Sequence, residues 1–296
     1  MMLANETAAT AYRVLNKCAC AMESSGPWSW QCIVENGARL PLAASFDEGF
    51  LQLVCRPEAM HKTALALEDA MLRNKTLAGG VRLALCSSGR GLHLRTDLVV
   101  LDENQLRDRM EWALEGFHDG TRLLESHDAH NECTSLQAAP VSDAALADLL
   151  RECSWPCAER GANDFSAELD ASAAPPARIR MNGSNLELSV ELLRCDAAAE
   201  ITRQALTLYL LTASSSLRMA RAYAAHADGQ ICFGFLVSLP STPAAEEIQH
   251  ALSALSVAYR MCARETHVLL HSAAARHYLA ARNPSTTDDN NFEKEN

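Results

Sequence analysis

The 296-residue sequence is short of glycine and proline, with 13 and 10, and only 5% of it is aromatic. So few Gly and Pro exclude collagen-like and linker-dominated chains and leave room for long regular elements. Long apolar runs are missing as well. The longest nearly continuous one, Ala205 to Leu211, is interrupted by Thr207 and falls well short of the ~20 residues a membrane-spanning helix needs, so no membrane span is expected. Glu6 and Arg13 break what could otherwise be the apolar core of a secretory signal, which points to a cytoplasmic protein. Positive charge is scarce: Lys and Arg number 26 against 37 Asp and Glu, a net −11. Clustered cations for gripping a phosphate backbone are absent from this balance, so nucleic acid is not an expected partner.

The motifs of the common catalytic classes are missing too. There is no Gly-rich phosphate loop ending in Lys-Ser or Lys-Thr, no Gly-x-Ser-x-Gly elbow, no Cys-x-x-Cys pair and no His-Glu-x-x-His. The one Gly-rich spot, Ser87 to Gly91, lies between two strand-like segments with no helix after it, and reads as a hairpin turn. His267 and His271 share a helical face, with His277 further along, and His127, His130 and Cys133 cluster elsewhere. Neither set supplies the four ligands of a structural zinc, so no metal and no cofactor are expected, and the chain reads as a non-enzyme.

What is present is a globular balance, 48% hydrophobic and 21% charged. Eleven cysteines are scattered singly through apolar segments, among them Cys32, Cys55, Cys86, Cys195, Cys232 and Cys262, and read as reduced core thiols. Cys18 and Cys20 are expected on a helix, one inward and one exposed.

The clearest signal is a repeat. Glu58 to Arg73 places Met60, Ala64, Leu67 and Met71 at helical spacing, and Gly79-Gly80 follows as a stop. Val81 to Leu85 and Leu92 to Leu98 alternate as a hairpin with one buried face; then Leu106, Met110, Ala113, Phe117 and Leu124 mark a long helix behind Asp102. The same order returns about 140 residues later: a helix over Ala197 to Thr212, strands over Leu217 to His226 and Gln230 to Leu239 around Asp228-Gly229, and a helix through Ile248, Leu252, Leu255, Tyr259 and Cys262. Upstream of each block lies a helix stripe, Ala8, Tyr12, Leu15, Ala19 and Met22 in one copy and Leu146, Leu149, Cys153 and Cys157 in the other. Strands Trp28 to Glu35, Arg39 to Ser45 and Phe50 to Arg56 match Phe165 to Ala171, Arg178 to Met181 and Asn185 to Leu193. The fold class is therefore α+β: two tandem copies of helix, three strands, helix, two strands, helix. Domain boundaries follow at 1–127 and 141–282. Residues 128–140, polar and ending in Pro140, form the linker, and 283–296 is a tail too polar to bury a core, expected to be disordered. A further helix is expected through His267 to Ala281.

At this point the element order, the acidity and the segment Val81 to Phe117 (VRLALCSSGRGLHLRTDLVVLDENQLRDRMEWALEGF) resemble the class I type III secretion chaperones, the Tir-chaperone-like family. Copy one matches best; Asp143 to Leu270 matches in element order. The resemblance implies a small, acidic, cofactor-free protein that dimerises and holds an extended amino-terminal segment of a secreted effector. Members carry one copy per chain, whereas this chain carries two, so a monomeric chain acting as a covalent pseudo-dimer is expected, its halves held at an effective concentration on the order of millimolar. In the family the helix between the third and fourth strands builds much of the dimer contact. Here that implies an interface of Met60, Ala64, Leu67 and Met71 with Ile201, Leu206, Leu208 and Leu210, and the second helix carries apolar residues on more than one face.

Trp28 and Trp30 open the first strand and, two residues apart, share one face of it. With Ile33, Leu40 and Leu42 they form the expected partner-binding patch. The charges of Asp102 to Glu115 read as a solvated helix face. The function expected is a secretion chaperone-like protein whose partner is a secreted effector or another secretion-system protein. A regulatory or structural component of the secretion apparatus and a small metal-dependent enzyme are the alternatives.

Overall fold

A computed structural model describes residues 2–35, 39–56, 67–86, 91–125, 143–153, 155–161, 164–171, 173–183 and 185–282. The linker, the carboxy-terminal tail, Met60, Ala64 and residues 87–90 of the turn expected over Ser87 to Gly91 lie outside the described residues.

The first half runs α1 (Met2–Cys18), β1 (Ala19–Gly26), β2 (Ser29–Glu35), β3 (Arg39–Asp47), β4 (Phe50–Cys55), α2 (Leu67–Asn74), β5 (Arg82–Leu85), β6 (Leu92–Val99) and α3 (Glu103–Glu125). The second runs α4 (Asp143–Glu152), β7 (Cys157–Gly161), β8 (Asp164–Ala167), β9 (Ala177–Asn182), β10 (Asn185–Asp196), α5 (Glu200–Ser214), β11 (Arg221–Ala227), β12 (Gln230–Pro240) and α6 (Ala245–Leu269), with α7 (Ser272–Arg282) added. Each half is a six-stranded antiparallel sheet wired alike, β1-β2-β3-β4-β6-β5 and β7-β8-β9-β10-β12-β11. The fold is α+β, in two repeated halves.

Each half carries one strand more than its hydrophobic pattern gives. Ala19 and Met22 continue the helical spacing of α1, and Cys157 that of α4, yet all three sit in edge strands. An edge strand paired on one side only need not alternate cleanly, and β1 is irregular at Cys20 and Ser25, where its register with β2 shifts. Cys20 is accordingly an exposed strand residue, not a helical one.

In the first half Trp30, Cys32 and Val34 of β2, Leu40, Leu42 and Ala44 of β3 and Leu51, Leu53 and Cys55 of β4 point to one face and are buried beneath the helices. The sheet registers pair Trp30 with Ala44 and Phe165 with Ile179, which makes Phe165 the second half's counterpart of Trp30. The hairpin β5–β6 departs from the expected single buried face. All of β5 and nearly all of β6 is buried on both faces, because the other half covers the second one.

That covering is reciprocal. Helix α2 packs across β11 and α5 across β5, and the two helices touch. Of the residues expected at this contact, Met71 of α2 and Leu206 and Leu210 of α5 are fully buried in the core, Leu67 and Leu208 are partly buried, and Ile201 remains exposed. The second buried face of α5 is explained by α6 and α7, which pack against it. The connection from α2 to β5 passes so close to α3 that a Cβ on Gly79, whose φ is +66°, would lie 2.5 Å from the Trp112 carbonyl oxygen.

The polar contacts of this seam repeat as well. Arg82 opens β5 and Arg221 opens β11; both are fully buried, and each guanidinium reaches into the opposite half. Arg82 donates to the carbonyls of Ser214 and Leu217 at 3.2 and 2.6 Å, and Arg221 to those of Leu77 and Val81 at 2.7 and 2.9 Å. Asn74 at the end of α2 accepts from the Leu83 N–H and donates across the seam to the Ala222 carbonyl. Ser214 at the end of α5 accepts from the Ala222 N–H in the same way. The pairs differ in one partner. Arg82 meets the carboxylate of Asp97 at 2.6 Å, and Arg221 meets the hydroxyl of Ser238, also at 2.6 Å.

Asp97 collects four donors: Arg82, Arg95 at 3.0 Å, Gln52 at 3.2 Å and the Met219 N–H of the other half at 3.0 Å. Burial alone would raise its carboxyl, but Arg82, Arg95 and the Met219 N–H bring it down to about 2. A folded-state value below the unfolded one stabilises at neutral pH. This contribution is lost as pH falls from near 4 through about 2, so the urea midpoint should drop across that window, and by less in Asp97→Asn, whose midpoint at pH 7 is already lower.

Arg82→Met takes from the buried Asp97 carboxylate the shorter of its two ion pairs, leaving Arg95, Gln52 and the Met219 N–H, and should cost about 3 kcal/mol or more in urea unfolding. Arg221→Met strands only carbonyls and a hydroxyl and should cost about 1–3 kcal/mol. Equal losses would contradict this account of the seam.

Candidate partner-binding surface

Among the described residues, with β5 closed against the second half, the first sheet keeps one free edge, β1, and one open face. The free edge is eight residues long, holds no Pro or Lys and a single charge, Glu23, so it has few of the devices that usually blunt an edge. The matching edge β7 is five residues long and charged, with Glu159 and Arg160. On the open face, beside that edge, the alternation of β2 to β4 places Gln31, Ile33, Pro41, Ala43 and Val54.

The five residues expected to form the partner patch divide between two environments. Trp30, Leu40 and Leu42 are core residues, 5%, 4% and 1% exposed, and the Trp30 ring lies 6.0 Å from that of Tyr12 on α1. Ile33 lies on the opposite, open face, and Trp28 stands 44% exposed. Trp28 does not share a face with Trp30. It occupies the turn between β1 and β2 with φ +56°, outside the alternation of the strand, where its carbonyl accepts the Phe46 N–H at 2.9 Å. The exposed candidates are thus Trp28 at the end of the free edge and Ile33 behind it.

Sequence reasoning missed the charged residues between the halves. Arg109 on α3, read as part of a solvated face, is buried and holds Glu247 of α6 through two bonds, at 2.8 and 2.9 Å, and the Thr242 carbonyl at 2.9 Å. Trp112, one turn on, donates its indole N–H to Asn185 at 3.3 Å. A signal for the seam was available: one Arg opens an otherwise apolar strand at the same place in each copy, VRLAL and MARAYAA.

Histidine chemistry stays local. His267 Nδ1 lies 2.7 Å from the Ala263 carbonyl oxygen, and no group of three His, Cys, Asp or Glu able to hold a metal occurs among the described residues. His93 approaches the Cys86 sulfur at 3.5 Å, and burial, with the charges of Arg82, Arg95 and Arg56, lowers its pKa to about 4, so the imidazole is neutral at pH 7. No helix among the described residues is long and apolar enough to cross a membrane.

No family model matches the sequence, and no curated protein matches it. Among solved structures, the crystal structure of the di-domain ARO/CYC StfQ from the steffimycin biosynthetic pathway aligns over 95% of this chain and 96% of that chain at 11% identity. Its TM-score is 0.15, at which no likeness of fold or function follows.

The two tryptophans should behave oppositely on truncation. Trp30→Ala empties a packed core position and should cost about 3–5 kcal/mol, whereas Trp28→Ala should stay within about 0.5 kcal/mol of the parent. Urea unfolding of the pair checks this, and a large loss from Trp28→Ala would place that ring in the core.

Proposed function

We propose that the protein is a non-enzymatic binding protein, a tandem, class I type III secretion chaperone-like chain that holds an extended segment of a secreted effector. The observation that carries the reading is the reciprocal union of two like-wired halves through α2 and α5. These helices occupy the place in each half where the resemblance puts the dimer contact, so one chain supplies what a pair of single-copy chains would. The halves differ from the expected order by their extra edge strands, and in the first half that strand adds to the reading. A client segment that pairs with β1 gains backbone hydrogen bonds along the free edge, while its alternate side chains meet Ile33 and the ring of Trp28. An aggregation-prone segment would thereby be kept extended and covered.

The test begins with mass spectrometry of what co-purifies from the native host, followed by calorimetry of that client segment. Ile33→Asp and Trp28→Ala together should weaken binding roughly thirty-fold or more, the size of losing an interface anchor, with the urea midpoint unchanged. Recovery of no secreted protein, or an affinity indifferent to both substitutions, would overturn the proposal.

A further inference from the structure

The two halves share a wiring but not an open face. On the second sheet this face holds a groove of about 460 Å3. Its floor is one row across the strands, Ser166, Arg178, Ser189 and Leu236, neighbours by register. Lys75, just past the end of α2, stands at one end beside Tyr223 of β11, and Arg160 of the edge strand β7 stands at the other. The groove is therefore completed by a residue of the first half.

Four cations line it, Lys75, Arg160, Arg178 and Arg180, against two carboxylates, Glu187 and Glu191. This is an excess of positive charge on a chain whose net charge is −11. The central charges are matched locally: Arg178 holds Asp164 at 3.0 and 2.6 Å, and Glu191 holds Arg194 at 2.7 and 2.8 Å. Lys75 and Arg160, at the ends, make no ion pair among the described residues, and both are exposed.

The fold does not demand these charges. By the same registers, Arg178 corresponds to Ala43, Ser189 to Val54, Arg180 to Ser45 and Glu187 to Gln52 in the first half, where an equivalent sheet forms without them. A requirement of the architecture would repeat; this one is confined to a single copy.

We propose that this groove binds an acidic, extended peptide segment of a partner, laid across the strands, with carboxylates reaching Lys75 and Arg160. The inference rests on the partner-binding reading and names the chemistry of one part of the partner. From β11 to β7 the sheet spans five strand spacings, roughly 24 Å, or about seven extended residues. Contact here runs through side chains and not through a backbone ladder, unlike addition at β1. Glu187 and Glu191 flank the path at its middle, which disfavours a polyanion charged at every step, such as nucleic acid, and suits a peptide that is neutral there and acidic at its ends.

The test titrates the full chain with a capped nine-residue peptide carrying two glutamates at each end around a Ser-Val centre, and with its glutamine counterpart. The acidic peptide should bind at least tenfold tighter at low ionic strength, and this margin should shrink as salt is raised. Lys75→Gln with Arg160→Gln should abolish the difference between the peptides and leave the melting temperature unchanged. Equal affinity for the two peptides, binding of neither, an acidic preference that survives both substitutions, or tighter binding of a thymidine oligonucleotide would overturn the proposal. A native client held by the double variant at parent affinity would sink the groove and leave the partner-binding reading standing. A chain that binds the acidic peptide as described but retains no client would do the reverse.

Discussion

A buried guanidinium is costly unless it is hydrogen-bonded, and here two of them, each bonded to carbonyls of the opposite half, hold the molecule together. Arg82 and Arg221 each sit on the first residue of an inner-edge strand and are satisfied mainly by backbone carbonyls of the other half. Neither half could bury its own arginine alone. The consequence reaches outward: α2 and α5 must cross over to bring those carbonyls into place, and their crossing buries both faces of β5. Closing the inner edges leaves β1 and β7 as the outer ones. The surfaces open to a partner are thus set by what the seam consumes.

The seam is symmetric in geometry and asymmetric in charge. Asp97 answers Arg82, while its counterpart Ser238 gives Arg221 only a hydroxyl. Burial, together with the neighbouring charge of Arg82, lowers the Arg221 pKa to about 10, Glu187 opposing. At neutral pH it remains a cation, held by dipoles without an adjacent carboxylate. Two identical chains meeting about a twofold axis could not divide the charges this way, since a carboxylate on one side would recur on the other. Joining the copies in one chain removes that constraint.

How much of this the sequence disclosed depended on periodicity. Central strands and long helices bury one face and so repeat at two or near 3.6 residues, which is why the inner elements of each half and the burial of Leu206 and Leu210 are legible in the sequence. Edge strands bury little. β1 shows no clean alternation, and its first residues sit at helical spacing by coincidence, so it passed as the end of α1. Trp28 was misplaced for a related reason, because a two-residue spacing implies a shared face only inside a strand, and Pro27-Trp28 is a turn. Arg109 and Glu247 are indistinguishable in sequence from surface charges; only their partners, far apart in the chain, make them interior residues.

Divergence between the open faces follows from the same freedom. In a homodimer both copies of a face change together, and a substitution that suits one part of an extended partner must be tolerated at the symmetry-related part. In this chain Ala43 and Val54 can stay small and apolar while Arg178 and Ser189 take their places in the second half, with the sheet beneath them unaltered. The second groove also borrows Lys75 from the first half, so its charge pattern exists only when the seam is closed. Any partner that spans both faces therefore meets an apolar strip and a charged groove at a spacing fixed by the Arg82 and Arg221 contacts, and the order of apolar and acidic stretches in that partner is what such an arrangement can discriminate.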